Sequence, residues 1–288
     1  MDQMTNIEFG MYRPNLFQSI LIGLSRYTLL GRGFMRRFLK RLILNNNNKP
    51  FDVALWGGYA RLYPHENISE QKALLCPFHY DKKELQFLKK HLTSKDDVFF
   101  DIGANAGLYS FYMASQTSQP LEIHLFEPEA EMMRRIQEKF ALTANQPMLK
   151  NKQIHLHPFA LGTQSQTATL VRGEKDYGGA YIEGNKLSNR AQNAQNEIKS
   201  EIVIKSFVDF LNEFKIKTIT ALKIDVEGYE DRIIKQLFEK ASESVWPKAL
   251  SIEHISQKDW EFDCINEALN RGYSIELKTR NNTALLRQ

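Results

Sequence analysis

Val98-Phe99-Phe100-Asp101-Ile102-Gly103-Ala104-Asn105-Ala106-Gly107 reads as an apolar strand that ends in an acid and turns through small residues into a helix beginning near Leu108. Glycine adopts dihedrals that a Cβ forbids and lets a ligand approach the backbone closely, and asparagine is the next most tolerant residue at such a bend. The turn therefore reads as a binding loop. The Gly-x-Gly-x-x-Gly spacing that seats a pyrophosphate on a helix N-terminus is absent. An acid in the turn favours a cationic ligand over a phosphate.

From Asp97 onward, short apolar runs alternate with helix-period segments, the mark of an α/β fold with a mostly parallel sheet covered by helices. The expected strands are Val98 to Asp101, Glu122 to Phe126, Ile154 to Pro158, Ala221 to Asp225, Ala249 to Glu253, Tyr273 to Leu277 and Thr283 to Leu286, seven in all. The turn Arg280-Asn281-Asn282 is too short for a crossover helix, so the last two strands form an antiparallel hairpin. A Rossmann-like, seven-stranded sheet with an antiparallel last strand is the class I methyltransferase arrangement, and ordinary dinucleotide-binding domains lack it. Thr167 to Arg172 adds an extra strand. Gly173 to Ser200, rich in Gly, Asn, Gln and Ser, reads as a loop, either a lid over substrate or a mobile surface insertion.

Upstream, Phe51 to Trp56 and Tyr59 to Tyr63 flank Gly57-Gly58 as a β-hairpin, and Asp81 to His91 reads as a helix capped by its aspartate. The run Asn45 to Pro50 cannot continue a helix. Three divisions follow: a basic helical extension over 1–50, a hairpin and helix over 51–92, and the main domain over 93–288 with its insertion at 167–200. In the extension, Arg26, Arg32, Arg36, Arg37, Lys40 and Arg41 interleave with Leu29, Leu30, Phe34, Met35, Phe38, Leu39 and Leu42, with no acid among them. Residues 26–41 could make peripheral contact with an anionic membrane, or dock on the domain with their cations in water.

A composition of 42% hydrophobic and 25% charged residues belongs to a globular chain rather than a disordered one. The net charge of +4 is too small to argue for nucleic acid. Cys76 and Cys264 have neither metal-ligand spacing nor the density of a disulfide scaffold, and read as reduced packing residues. No run of about 18 apolar residues occurs, and Asp2 and Glu8 stand where a signal peptide wants positive charge. A cytoplasmic location is expected, at the inner membrane face if the basic segment docks there.

Two further segments carry chemistry. Phe126-Glu127-Pro128 places a carboxylate at the end of the next strand, where it can accept hydrogen bonds from the two hydroxyls of a ribose. Ala221 to Glu230 is an apolar strand that carries Lys223 and leads into Asp225, Glu227, Gly228 and Glu230. Buried charges there need partners, and the carboxyl edge of an open sheet is where ligands bind. The structural alternative pairs Lys223 with Asp225 or Glu227 and uses Glu230 merely to open a helix. The sulfonium and α-amino groups of S-adenosylmethionine are an example of the cationic ligand that the first turn favours.

Asp101 to Gly107, Phe126-Glu127-Pro128 and Leu222 to Glu230 resemble the three hallmark blocks of the FkbM family of methyltransferases, and the resemblance spans roughly Phe51 to Leu277. It implies a class I fold, S-adenosylmethionine as donor, and transfer to oxygen, often on a sugar, glycolipid or other small molecule. It further implies that Asp101, Gly103, Asn105 and Gly107 surround the methionine part of the donor and that Glu127 holds the ribose. By the same resemblance, Phe159-Ala160-Leu161 borders the adenine, and Asp225 and Glu227 line the mouth over the methyl group. A hydroxyl is a poor nucleophile until its proton is being removed, so a base or a metal is expected. Candidates are Asp225, Glu227, His254, or a divalent Mg or Mn ion held by Asp225 with Glu253. Competing readings are a nicotinamide-dependent oxidoreductase, disfavoured by the glycine spacing, and a catalytically inactive S-adenosylmethionine-binding protein, whose expected sign is decay of the acids.

Overall fold

The computed structural model describes residues 8–31, 33–44, 48–174, 176–183 and 196–288. The chain runs α1 (Leu16–Tyr27), α2 (Gly33–Leu44), β1 (Phe51–Leu55), β2 (Gly58–Leu62), α3 (Ile68–Leu75), α4 (Lys82–Lys90), β3 (Val98–Ile102), α5 (Leu108–Gln116), β4 (Leu121–Phe126), α6 (Ala130–Ala141), α7 (Gln146–Leu149) and β5 (Lys152–His157). It continues through β6 (Ala160–Gly162), β7 (Gln166–Gly173), β8 (Asp176–Ile182), β9 (Glu197–Ser206), α8 (Phe207–Glu213), β10 (Ala221–Ile224), α9 (Glu230–Lys240), β11 (Ala249–Glu253), α10 (Cys264–Asn270), β12 (Tyr273–Lys278) and β13 (Asn282–Arg287).

All seven expected strands join one sheet in the order β12-β13-β11-β10-β3-β4-β5. Pairing from β11 through β5 is parallel, whereas β13 lies between β11 and β12 and is antiparallel to both. The central strand β3 is buried along its whole length, which is why its sequence is apolar apart from Asp101. Alternation in a strand sends neighbouring side chains to opposite faces. Phe99 accordingly enters one apolar layer and Phe100 the other.

The layer around Phe99 also takes Leu21, Ile22, Leu39 and Ile43 of the N-terminal helices and Leu62 of the hairpin. Asn15 caps α1 in a reciprocal capping box with Gln18. Arg61 of β2 is buried, pairs with Asp52 at 2.7 Å and reaches Glu138 of α6 at 2.6 Å. Arg135 of α6, also buried, pairs with Glu70 of α3 at 2.8 Å. Breaking such a buried pair costs about 3–5 kcal/mol, so these contacts set the position of α6 and α3 over the sheet. Cys76 and Cys264 are buried and free, as expected of packing residues. Burial depresses His124, and lowers His157 to about 3, so both rings are neutral among the phenylalanines they stack on.

Two local expectations are corrected. Gly173 to Ser200 is not one loop: β8 and the start of β9 fall within it, and residues 184–195 lie outside the described part. With β6 and β7 these strands build a second sheet, ordered β6-β9-β7-β8. Asp81 does not cap α4 through its side chain. Its backbone is left-handed (φ 37°), and its carboxylate instead accepts from the Tyr109 hydroxyl at 3.1 Å. The helix α3 went unread because eight residues give little periodicity, although Asn67 caps it by accepting from Ser69 and Glu70 N–H at 2.9 and 3.1 Å.

Candidate functional site

A cleft opens at the carboxyl ends of β3, β4, β10 and β11, and its wall is completed by residues of α3 and β8. Its floor is the turn after β3, where Gly103 (φ 73°), Asn105 (φ 53°) and Gly107 (φ 68°) are all left-handed. A Cβ on Gly103 would lie 1.8 Å from the Asp225 carbonyl oxygen, so close contact between two strand ends demands glycine there. Two buried lysines grip the turn from different sides. Lys223 donates to the Gly103 carbonyl at 2.5 Å, and Lys139 of α6 donates to that of Ala106.

Lys223 also lies 3.5 Å from Asp101 and 3.6 Å from Asp225. Burial lowers its pKa, but the surrounding carboxylates, Asp225 foremost and then Asp101, outweigh that and raise it. The buried strand is therefore charged at its carboxyl end and compensated. The structural alternative for Glu230 also matches the geometry: it opens α9, accepts from Val226 N–H at 2.8 Å and receives the Trp260 indole at 3.1 Å.

Glu127 follows β4 and is buried. One oxygen accepts from Asn105 N–H at 2.7 Å and the other from Glu129 N–H at 2.9 Å. Burial raises its carboxyl to about 7, against the pull of those backbone donors. Across the cleft, oxygens of Asp225, Glu227 and Glu253 lie within 4.8 Å of one another. Burial first, and then the charges of Asp225, Glu227 and Glu230, push Glu253 up to about 11. One of its oxygens is fully enclosed and has no hydrogen-bond partner among the described residues. Three convergent carboxyls of this kind require a proton or a cation among them.

Of the residues picked from sequence, Gly103, Asn105, Glu127, Ala160, Asp225, Glu227 and Glu253 line this one cleft. Three are not brought to it. Asp101 is fully enclosed, accepting from Ser110 N–H at 3.2 Å and its hydroxyl at 2.8 Å. At Gly107 an added Cβ would meet Ile136 at 2.9 Å, so its place is set by packing under α5. The His254 ring lies against the Thr283 hydroxyl at 2.9 Å, outside the lining. The side chain of Asn105 serves the wall, accepting from Asn67 Nδ2 at 2.5 Å and donating to the Gly178 carbonyl at 3.4 Å.

Tyr177, Tyr181 and Ile182 of β8, with Ser69 and Lys72 of α3, line the cleft and were not read from sequence. The even spacing of Tyr177 and Tyr181, which puts both on one face of a strand, was the available signal, hidden in a glycine-rich context.

A family model described as the methyltransferase FkbM domain matches residues 101–275. No curated protein sequence matches. Among solved structures, the chain is similar to methyltransferase FkbM from Methylobacillus flagellatus KT, at 16% identity and a TM-score of 0.44 over 75% of this chain and 52% of that one. It thus spans about half the length of that protein. It is also similar to M. capricolum TrmK in complex with S-adenosyl-homocysteine, with 14% identity, a TM-score of 0.35 and coverage of 70% and 65%. Aeropyrum pernix fibrillarin with natively bound S-adenosyl-L-methionine is another, at 10% identity, a TM-score of 0.34 and coverage of 67% and 66%.

Proposed function

Since the chain belongs to the methyltransferase FkbM domain family, we propose that it transfers a methyl group from S-adenosylmethionine to a hydroxyl oxygen of a small acceptor, with sugars and glycolipids the first class to test. The observation that carries this reading is the placement of Glu127 and the Asp225–Glu227–Glu253 group on opposite sides of one cleft at the carboxyl edge of the sheet.

The residues fit the donor. Glu127 is a buried carboxylate at a strand end, suited to the two hydroxyls of a ribose. Ala160, Leu161 and Ile182 supply apolar wall for a base, and the left-handed turn at Gly103 leaves its backbone open to the cleft. When bound, the donor supplies a methyl group already activated on a sulfonium. What remains for the protein is to align the acceptor and take its proton, and alignment alone is worth roughly 7–11 kcal/mol of the barrier. Asp225 is the base in this reading, because it borders the cleft, 3.6 Å from the Lys223 ammonium. Glu253, carrying a proton, relieves the repulsion beside it.

A second reading replaces that proton with a hard divalent ion, Mg or Mn, bound by Asp225, Glu227 and Glu253, whose oxygens already converge. It would then activate the hydroxyl as a Lewis acid. A chelator separates the two readings. For the whole proposal, calorimetric titration with S-adenosylhomocysteine comes first, followed by methyl transfer to a panel of hydroxylated glycans and glycolipids. Absence of binding would overturn the proposal, and binding without transfer to any hydroxyl would favour the inactive donor-binding alternative.

A further inference from the structure

The helices α1 and α2 dock on the domain through one face only. Leu21, Ile22 and Ser25 of α1 and Leu39, Ile43 and Leu44 of α2 are buried. Arg26 belongs to this inner side, donating to the carbonyls of Leu74 at 2.8 Å and Ala54 at 3.0 Å, and so is not free to meet a partner. The outer face is apolar where a surface helix is ordinarily polar. On α1 it presents Leu16 (79% exposed), Phe17 (59%) and Ile20 (53%), on the connecting turn Leu29 (75%), and on α2 Phe34 (77%) and Phe38 (51%). The patch continues onto the body through Tyr27, whose ring lies 5.4 Å from that of the half-exposed Phe78. Contiguous exposed apolar surface of this kind marks an interaction site.

Charge identifies the occupant. Residues 9–51 hold eight Lys and Arg and no Asp or Glu, which, against a net +4, leaves the rest of the chain at −4. Arg36, Arg37, Lys40 and Arg41 are exposed, and at about 100° per residue Arg37 and Arg41 fall beside the Phe34–Phe38 face of α2. A second copy seated on this face by two-fold symmetry would set these cations against themselves. A bilayer with anionic headgroups takes both components, the apolar side chains at the acyl boundary and the cations among the phosphates. Among the described residues no helix is long and apolar enough to cross a membrane, so the contact is with its surface. We infer that the α1–α2 hairpin lies on an anionic lipid bilayer through Leu16, Phe17, Ile20, Leu29, Phe34 and Phe38, flanked by Arg37 and Arg41 of α2. Phe78 stands at the edge of this patch, and Tyr80 and Asp81, a few residues on, line the cleft. The docked face thus adjoins the site, although the docking itself does not depend on the proposed reaction.

The test is co-sedimentation of the full chain with vesicles of phosphatidylcholine alone and of phosphatidylcholine mixed with phosphatidylglycerol. The unmodified protein is expected to pellet with the anionic vesicles and to be released by salt. Arg37→Glu with Arg41→Glu should weaken that association by roughly thirty-fold or more, at about 1 kcal/mol for each cation near the surface. Phe17→Ser with Ile20→Ser should weaken it comparably with all cations retained. Because these side chains are exposed, unfolding temperatures of both variants should match the parent, which guards against loss through misfolding. Equal pelleting with neutral and anionic vesicles would overturn the inference, as would a patch whose serine variants lose only self-association in sedimentation velocity.

Discussion

The backbone N–H of Asn105 donates to Glu127 at 2.7 Å, which makes the acid at the end of β4 a strut of the glycine turn as well as the candidate ribose acceptor. Replacing Glu127 with Ala removes both roles. Donor affinity is expected to fall by about 1.5–3 kcal/mol, the worth of hydrogen bonds to a charged group. Calorimetry with S-adenosylhomocysteine checks this, and unchanged affinity would remove Glu127 from the pocket.

The same carboxyl sets a pH dependence. Its pKa is raised by burial to about 7, and ribose hydroxyls donate to the ionised form. Donor affinity should therefore rise by up to about tenfold per pH unit below that value and level off above it. Stability of the ligand-free protein runs the other way. For an acid whose folded pKa exceeds its unfolded one, the stabilising contribution is complete below the ordinary value of 4.5 and is lost as pH rises through about 7. Glu230, raised to about 7 mainly by burial, acts in the same direction and window. Thermal midpoints measured across the window should show these contributions decline as pH rises, and Glu127→Gln should flatten its share.

Gly103→Val tests the turn. From sequence, a side chain there fills space needed by the donor and leaves the fold cooperative if the loop is exposed. The structure moves the expectation, because the nearest atom is the backbone oxygen of Asp225 and φ is 73°. Overpacking against backbone costs about 1–3 kcal/mol before any backbone strain is added. A lower chemical-denaturation midpoint is expected along with lost donor binding, and a variant as stable as its parent would contradict this packing.

The parallel sheet and three of its ligand-bearing strand ends were legible because strands such as Val98 to Ile102 are apolar on both faces and stop at punctuating acids and glycines. The wall of the cleft was not. Strand β8 is half-exposed and carries Gly178 and Gly179, so no run of branched residues announces it, and α3 spans only two turns. Asp101 has the spacing of a ligand-facing acid in the loop motif, and its enclosure by Ser110 one helix turn into α5 and by Lys223, 122 residues on, was not legible there. His254 ended next to the site in sequence but against Thr283 in space.

Asp225→Asn keeps the shape of the cleft and should leave donor affinity within a few-fold while lowering turnover by about 10²–10⁴ if the carboxylate is the base. His254→Ala is expected to retain turnover within a few-fold, since the ring lies outside the lining. Retention of activity by Asp225→Asn on the true acceptor would transfer the role to Glu227. Sensitivity of the unmodified protein to a chelator, reversed by magnesium or manganese, would support the cation reading instead.

Lys223→Met should be among the most damaging single changes. It leaves the Gly103 carbonyl without its donor and the enclosed Asp101 without a counter-charge. A loss of about 3–5 kcal/mol is expected from removing one partner of a buried charged group. Equilibrium denaturation measures it, and a loss below about 1 kcal/mol would show that the turn does not depend on this lysine.

The two lysines that hold the glycine turn come from α6 and from β10, which lie 84 residues apart at positions 139 and 223. Lys139 needs only β4 and α6 packed on β3, whereas Lys223 cannot reach the turn until β10 has paired with β3. The turn with both of its lysines therefore has no counterpart in a chain that has ordered only its first half. A donor molecule binding there reports on the completed sheet and not on a local motif. A newly made or damaged chain that cannot close the sheet would fail to capture donor at all, and so could not divert it.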